Sequence, residues 1–259
     1  MQDSSKVVVL EILGELSPNC LLDAPCGSGW LSESLGTSST IDGIDLYAKP
    51  NSNYRVVKSC NLNEGIPNEL GEYDCIVSCE GLEHFGNPEL FLRSAYNHLK
   101  VSGTLLITTP NTWYPQSKLQ YLLRGFYPGF PCLISKVKPG EHMHIIPWTL
   151  PQLYLFLELT GFKNIQVHYE PLSEARHFYE KIIALPQYFY CRNKLRKSAN
   201  FKDKNYGFTG GKSFVTPPQT RFSDEELSYF GYDFFTDMST NYASQNIPVP
   251  QDYVLGPND

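Results

Sequence analysis

Two stretches of the chain concentrate side chains able to do chemistry. Cys79-Glu80-Gly81-Leu82-Glu83-His84 places two carboxylates and an imidazole within five residues. Glu83 and His84 follow Glu80 by three and four positions, so one helical turn would aim all three in one direction. An imidazole there can serve as a general base near neutral pH. The other stretch is Leu21–Gly29 (LLDAPCGSG), an acid followed by two glycines. Glycine lets a backbone approach a bound ligand closely and adopt φ values that other residues avoid. Such a turn alone is as readily structural as ligand-binding. Asp45, roughly 20 residues further on, shifts the balance, because a carboxylate there can accept from both hydroxyls of a ribose.

Positioning these groups requires alternating strands and helices. Short apolar runs read as strands at Asn19–Ala24, Thr40–Asp45, Tyr54–Lys58, Tyr73–Cys79 and Gly103–Thr108, with Gly103 marking the turn into the last of them. Helical segments lie between them, opening at Trp30 and again over Pro88–Leu99, where Leu90, Phe91, Ala95 and Leu99 recur at helical spacing. That alternation predicts an α/β fold, a mostly parallel sheet with helices on both faces. Residues Asn111 to Pro147 are rich in aromatics, Pro and Gly and too long for an ordinary connection, so they are expected to form an inserted cap. A helix over Thr149–Thr160 and a sixth strand over Phe162–Tyr169 follow, and a seventh strand is expected near Tyr232–Thr236. The reading therefore has a domain over 1–200 that includes a cap at 112–147, and a C-terminal extension over 201–259 ending in an irregular tail.

LLDAPCGSG, GIDLY and YDCIVSCEGLEHFGNPELFLRSAYNHLKVSGTLLITTPN together resemble, in order and spacing, the motifs of class I S-adenosylmethionine-dependent methyltransferases. The resemblance runs from about Cys20 to Tyr169 and implies a Rossmann-like, seven-stranded sheet. It also implies that Asp23, Cys26, Gly27, Gly29 and Cys79 lie along the methionine side of the cofactor, and that Asp45 and Leu46 hold the ribose. Asn61 and Leu62 fall where the family has Asp and a small or apolar residue against the adenine, and Asn can still accept from the adenine amino group. A nicotinamide dehydrogenase would want GxGxxG, whereas this chain has GSGWLS, with Ser32 at the third glycine position, and no recognisable hydride-transfer site.

Glu80–His84 further resembles the ExxEH motif of two methyltransferase groups, one acting on catechol-like hydroxyls in quinone synthesis and one on the terminal 2′-hydroxyl of small RNAs. Both are associated with a divalent metal. The RNA group adds a later histidine followed by Trp-Thr, a position filled here by His144 ahead of Trp148-Thr149. The resemblance thus implies that Glu80, Glu83, His84 and His144 form a mixed oxygen–nitrogen site for Mg²⁺, Mn²⁺ or Zn²⁺. Two other readings stand beside it: a metal-free site with Glu83, His84 and His144 in catalysis, and a purely structural turn. The segment from Pro110 also resembles bacterial methyltransferases linked to cell-surface glycans or secondary metabolites. Trp113, Tyr114, Tyr121, Phe126, Tyr127 and Phe130 either wall a pocket for a ring or sugar or pack a lid.

The expected activity is O-methylation of a small-molecule or glycan-type hydroxyl. The alternatives are RNA 2′-O-methylation and a non-catalytic cofactor-binding subunit. A net charge of −6 over 259 residues disfavours broad nucleic-acid binding. Seven cysteines with no metal-type CxxC pair point to reduced thiols in a cytoplasmic enzyme. No stretch approaches the ~20 apolar residues that cross a bilayer. Phe178–Lys197 mixes aromatics with basic residues, which leaves weak peripheral contact with a membrane open.

Overall fold

The computed structural model of the protein describes residues 4–36, 39–130, 143–165, 168–169 and 213–216, with positions 182 and 186. The chain divides into two units, Met1–Phe222 and Ser223–Asp259, and all described residues belong to the first. Five parallel strands, β1 (Cys20–Asp23), β2 (Thr40–Asp45), β3 (Val56–Ser59), β4 (Tyr73–Cys79) and β5 (Leu99–Pro110), lie in the order β3-β2-β1-β4-β5. Successive strands are added to one side of β1 and then to the other, so the carboxyl ends of β1 and β4 flank a crevice of the kind that binds ligands in open α/β sheets. Beyond β5 the sheet continues through β7 (Ser213–Thr216), antiparallel to it, and then β6 (His168–Tyr169).

Helix α1 (Ser4–Leu16) forms because Val8, Val9, Ile12 and Leu13 recur on one face, and all four are buried against Leu21, Leu31, Ile41 and Val77. Ser17, in the left-handed region at φ 47°, and Pro18 after it end the helix. The short α2 (Trp30–Leu35) starts directly from the glycine turn. Helix α3 (Pro88–Asn97) has Pro at its first position and is capped by Asn87, whose side chain accepts from the Leu90 amide at 3.3 Å. Further on lie α4 (Pro115–Arg124) and α5 (Leu150–Leu159), the latter capped by Thr149. Among the described residues, no helix is long and apolar enough to cross a membrane.

Several expectations need correction. Gly103 does not mark a turn into β5, because that strand already begins at Leu99. Gly103 sits at an irregularity in the β4–β5 register, beside Ser102 at φ 64°, where a Cβ would stand 2.8 Å from the Lys100 carbonyl oxygen. The expected strand at 232–236 lies outside the described residues, and the strand the sequence did not announce is β7. Of the expected strand over 162–169, the described residues that pair in the sheet as a strand are His168 and Tyr169. Part of the expected cap, 131–142, and the run at 178–197 apart from position 182 and position 186 are also outside the described residues.

Candidate active site

A cavity of about 1610 Å³ opens at the carboxyl ends of β1, β2 and β4, bounded by the glycine turn on one side and by residues of the 112–147 region on the other. Gly27 and Gly29 both take positive φ, 50° and 88°. A side chain at Gly29 would overlap the Asn51 carboxamide, so the turn is glycine by space as well as by dihedral. Asp45, at the end of β2, accepts from the Gly27 amide at 3.0 Å and the Tyr47 amide at 2.9 Å. It therefore ties the glycine turn to its own strand end, and each oxygen keeps a second lone pair facing the cavity that Asp45 and Leu46 line.

Asp23 is placed differently from what the resemblance implies. It is buried behind the turn, where it accepts from the Tyr54 hydroxyl at 2.6 Å while its other oxygen has no hydrogen-bond partner. Burial pushes its pKa up to about 7, the Tyr54 hydroxyl pulling the other way and the Asp45 charge adding to the rise. Asp23 thus supports the turn from beneath, and Cys26 and Cys79 face the cavity. Burial raises the Cys26 thiol to about 12 and Cys79 upward as well, so both are inert walls. Elsewhere on the cavity wall, Asn61 caps a single 3-10 turn, Leu62–Glu64. Its oxygen accepts from the Asn63 amide and carboxamide, and its own carboxamide donates to Glu64. The Asn61 side chain is largely spent on its own loop.

The other end of the cavity is built around the carboxyl end of β4. Glu80 takes φ 47°, with its amide held by the Thr108 carbonyl at 3.1 Å and hydroxyl at 2.9 Å. The expected helical turn over Glu80–His84 is instead this left-handed kink followed by a 3-10 turn, Leu82–His84. Gly81 between them has no room for a methyl group: a Cβ would overlap Pro25 Cδ and stand 2.9 Å from Ser78 Oγ. The chain from the far side of the cavity is then zipped onto this turn. The Glu83 carbonyl accepts from the amides of Ile145 at 2.7 Å and Ile146 at 3.1 Å, and His84 Nδ1 donates to the Met143 carbonyl at 2.9 Å.

These bonds bring Glu83, His84 and His144 together, with donor atoms all within 4.8 Å of one another. The two imidazoles meet edge to face at 4.7 Å, and His144 Nε2 lies 3.9 Å from Glu83 Oε1. Glu80 is not a member of that trio. Burial, and then the neighbouring Glu80 charge, push Glu83 up to about 8. Thr109 donates to the other Glu83 oxygen at 3.1 Å. Burial, and then His84, lower the His144 pKa, which keeps that ring neutral.

The donor set fits a divalent ion. Glu83 Oε1 is buried with no hydrogen bond, neutral His144 offers a ring nitrogen, and His84 has Nδ1 held by a carbonyl so that Nε2 keeps its lone pair. Bonds of ~2.0–2.3 Å place neighbouring ligands about 3–4 Å apart, so donor atoms spread over as much as 4.8 Å would have to draw in to share an ion.

The sequence profile of the methyltransferase domain matches residues 6–167. The chain belongs to the S-adenosylmethionine-dependent methyltransferase family. The ubiquinone biosynthesis O-methyltransferase of Rattus norvegicus is 33% identical over 122 residues, 42% of this chain and 34% of the rat protein. That of Escherichia coli O6:H1 is 26% identical over 186 residues, covering 64% and 73% of the two chains. This chain therefore spans about a third of the rat protein's length. Two solved folds are similar. A SAM-dependent methyltransferase from Archaeoglobus fulgidus has a TM-score of 0.51 at 16% identity, over 83% of this chain and 93% of that one. The Burkholderia thailandensis 1,6-didemethyltoxoflavin-N1-methyltransferase, solved with S-adenosylhomocysteine, has 0.50 at 13%, over 85% and 79%.

Within this methyltransferase, several site residues carried no sequence signal. Tyr54 reaches Asp23 only because Gly43 and Gly29 leave room for its ring, with a Cβ on Gly43 standing 3.0 Å from it. Asn63 lines the cavity and binds the Gly86 and Asn87 amides across the loops. The Trp-Thr pair after His144 has structural duties: Trp148 is 1% exposed and packs on Phe156, and Thr149 caps α5. Of the aromatics after β5, Tyr121, Phe126, Tyr127 and Phe130 line the cavity, Tyr121 stacking on Tyr127 at 4.6 Å and Phe130 meeting His144 at 5.1 Å.

Proposed function

We propose that the protein transfers the methyl group of S-adenosylmethionine to a hydroxyl of a small-molecule or glycan-type acceptor. The observation that carries this reading is the Glu83/His84/His144 trio, set across one cavity from the glycine turn and Asp45. The ubiquinone-pathway relatives named as O-methyltransferases support oxygen as the atom methylated. Residues 112–147 supply the acceptor wall in this reading, through Tyr121, Tyr127 and Phe130.

The sulfonium methyl is already activated, so the protein's task is to align and deprotonate the nucleophile. The acceptor O–H proton passes to His84 Nε2 while the oxygen forms a bond to the methyl carbon. The carbon–sulfur bond breaks, and its electron pair neutralises the sulfonium to give S-adenosylhomocysteine. The Met143 carbonyl fixes the His84 tautomer that makes Nε2 the acceptor, and Glu83, neutral at rest, can give up its proton beside His144 as positive charge develops on the rings. A divalent ion on Glu83, His84 and His144 would instead lower the pKa of the acceptor hydroxyl.

The test is purified chain with radiolabelled S-adenosylmethionine and panels of phenols, catechols and sugars, alongside calorimetry with S-adenosylhomocysteine. Binding near micromolar, about −8 kcal/mol, is expected, with label transferred to a hydroxyl. Activity lost to a chelator and restored by added metal, with cofactor binding intact, supports the ion. Chelator-resistant activity supports the imidazole base. Cofactor binding without turnover on any panel points to a non-catalytic subunit, and failure to bind S-adenosylhomocysteine rejects the proposal.

A further inference from the structure

The adenine end and the histidine turn are separate loops in sequence, yet one side chain joins them. Asn63 Oδ1 accepts from the Gly86 amide at 2.6 Å and the Asn87 amide at 3.1 Å. Its own amide and carboxamide both donate to Asn61 Oδ1, at 3.1 Å and 3.0 Å. Gly86 lies two residues after His84, at the point where the 3-10 turn has ended and its next amides need an outside acceptor. We infer that Asn63 is a positioning residue, which transmits occupancy of the adenine end of the cofactor site to the placement of His84. The inference rests on the proposed cofactor reading.

A ligand packing against Asn61, Leu62 and Asn63 selects one orientation of the two hydrogen-bonded carboxamides. Asn63 Oδ1 then sets the Gly86 and Asn87 amides, and with them the exit of the turn that carries Glu83 and His84. The same loop has a second anchor on the far side, where the Ile66 amide donates to Ser94 Oγ at 2.8 Å and Gly65 packs against Ser94. That anchor fastens the loop to the middle of α3 and does not touch the turn, so the two attachments separate simple loop stability from coupling. Both Asn63 bonds lie at the exposed margin, where water can replace the lost acceptor. Asn63→Ala is therefore expected to fold.

Adenosine is the appropriate probe, because it fills the adenine and ribose positions without placing a sulfur beside the histidines. In histidine-labelled protein, with the His84 signal assigned by its loss in His84→Gln, saturating adenosine should shift His84 in the wild type. The shift should vanish in Asn63→Ala, return in Asn63→Asp (which keeps an oxygen for both amides) and persist in Ser94→Ala. Adenosine affinity is measured in each variant, so that every spectrum is compared at saturation. A His84 shift of undiminished size in Asn63→Ala, or none in adenosine-saturated wild type, overturns the inference while leaving the cofactor reading standing. Wild type that binds neither adenosine nor S-adenosylhomocysteine fails at the earlier step and overturns both.

Discussion

The two halves of the cavity are built on different principles. The half proposed to hold the cofactor is made of strand ends and a glycine turn that are neighbours in sequence or one βα unit apart, and Asp45 fastens the turn by accepting from the Gly27 and Tyr47 amides. The half proposed to hold the acceptor joins Glu83 and His84 to a histidine some sixty residues later: the Glu83 carbonyl accepts from the Ile145 and Ile146 amides, and His84 Nδ1 donates to the Met143 carbonyl. In the first half a side chain adds to a scaffold that local geometry already supplies. In the second, the side chains exist as a group only because the tertiary fold brings them together. Damage to the two halves should consequently look different.

The largest effect should come from Glu83→Gln. The amide is isosteric with the protonated carboxyl and can still accept from Thr109, yet it cannot ionise beside His144 when positive charge develops there. Methyl transfer should fall by about 10²–10⁴-fold, while calorimetry finds S-adenosylhomocysteine affinity unchanged. Equal loss of both would erase the distinction between the halves. Asp45→Ala is the mirror test: cofactor affinity should weaken by roughly 1–3 kcal/mol, read in the same titration. Unaltered affinity would show that the ribose is held elsewhere.

Each half also hides one carboxyl whose proton should register in stability. Asp23 rises from an ordinary 3.8 to about 7 and Glu83 from 4.5 to about 8. Both pKa values are raised in the fold, so the native state holds more protons than the unfolded chain. The stability these groups contribute is full below pH ~4 and lost as pH climbs through about 7 for Asp23 and about 8 for Glu83. Denaturant unfolding of the ligand-free protein across that window should show the decline, and Asp23→Asn or Glu83→Gln should each remove its own portion. A curve that rises with pH there, and does not flatten in either variant, would contradict the buried, protonated carboxyls.

The smallest effect concerns Glu80, which carries a φ of 47° that suits glycine. Glu80→Gly should raise stability by about 1 kcal/mol in urea unfolding, with methyl transfer reduced. Loss of both would mean that the carboxyl contact with Glu83 outweighs the backbone strain.

Legibility in the sequence followed the same divide. Asp45 and the glycine turn were readable because a strand, a tight turn and an acid at a set distance leave local marks. β4 was delimited correctly at Tyr73–Cys79 by its apolar run and its flanks. The Glu80–His84 turn was readable as chemistry but not as shape: three polar residues at helical spacing say nothing about a left-handed residue that breaks the spacing. Tyr54 and Asn63 were invisible, since each acts through a gap or an amide contributed by another loop. Gly103 misled because glycine serves a register irregularity as well as a turn.

Gly81 and Pro25 meet where the cofactor turn and the acceptor turn share a wall too thin for a methyl group. Mutational drift at either position is constrained by the other, so neither loop can be redesigned alone. The route to a changed acceptor preference runs along the opposite wall. A library randomised at Tyr121, Tyr127 and Phe130 should yield many cofactor-competent clones, and one randomised at residues 79–81 almost none.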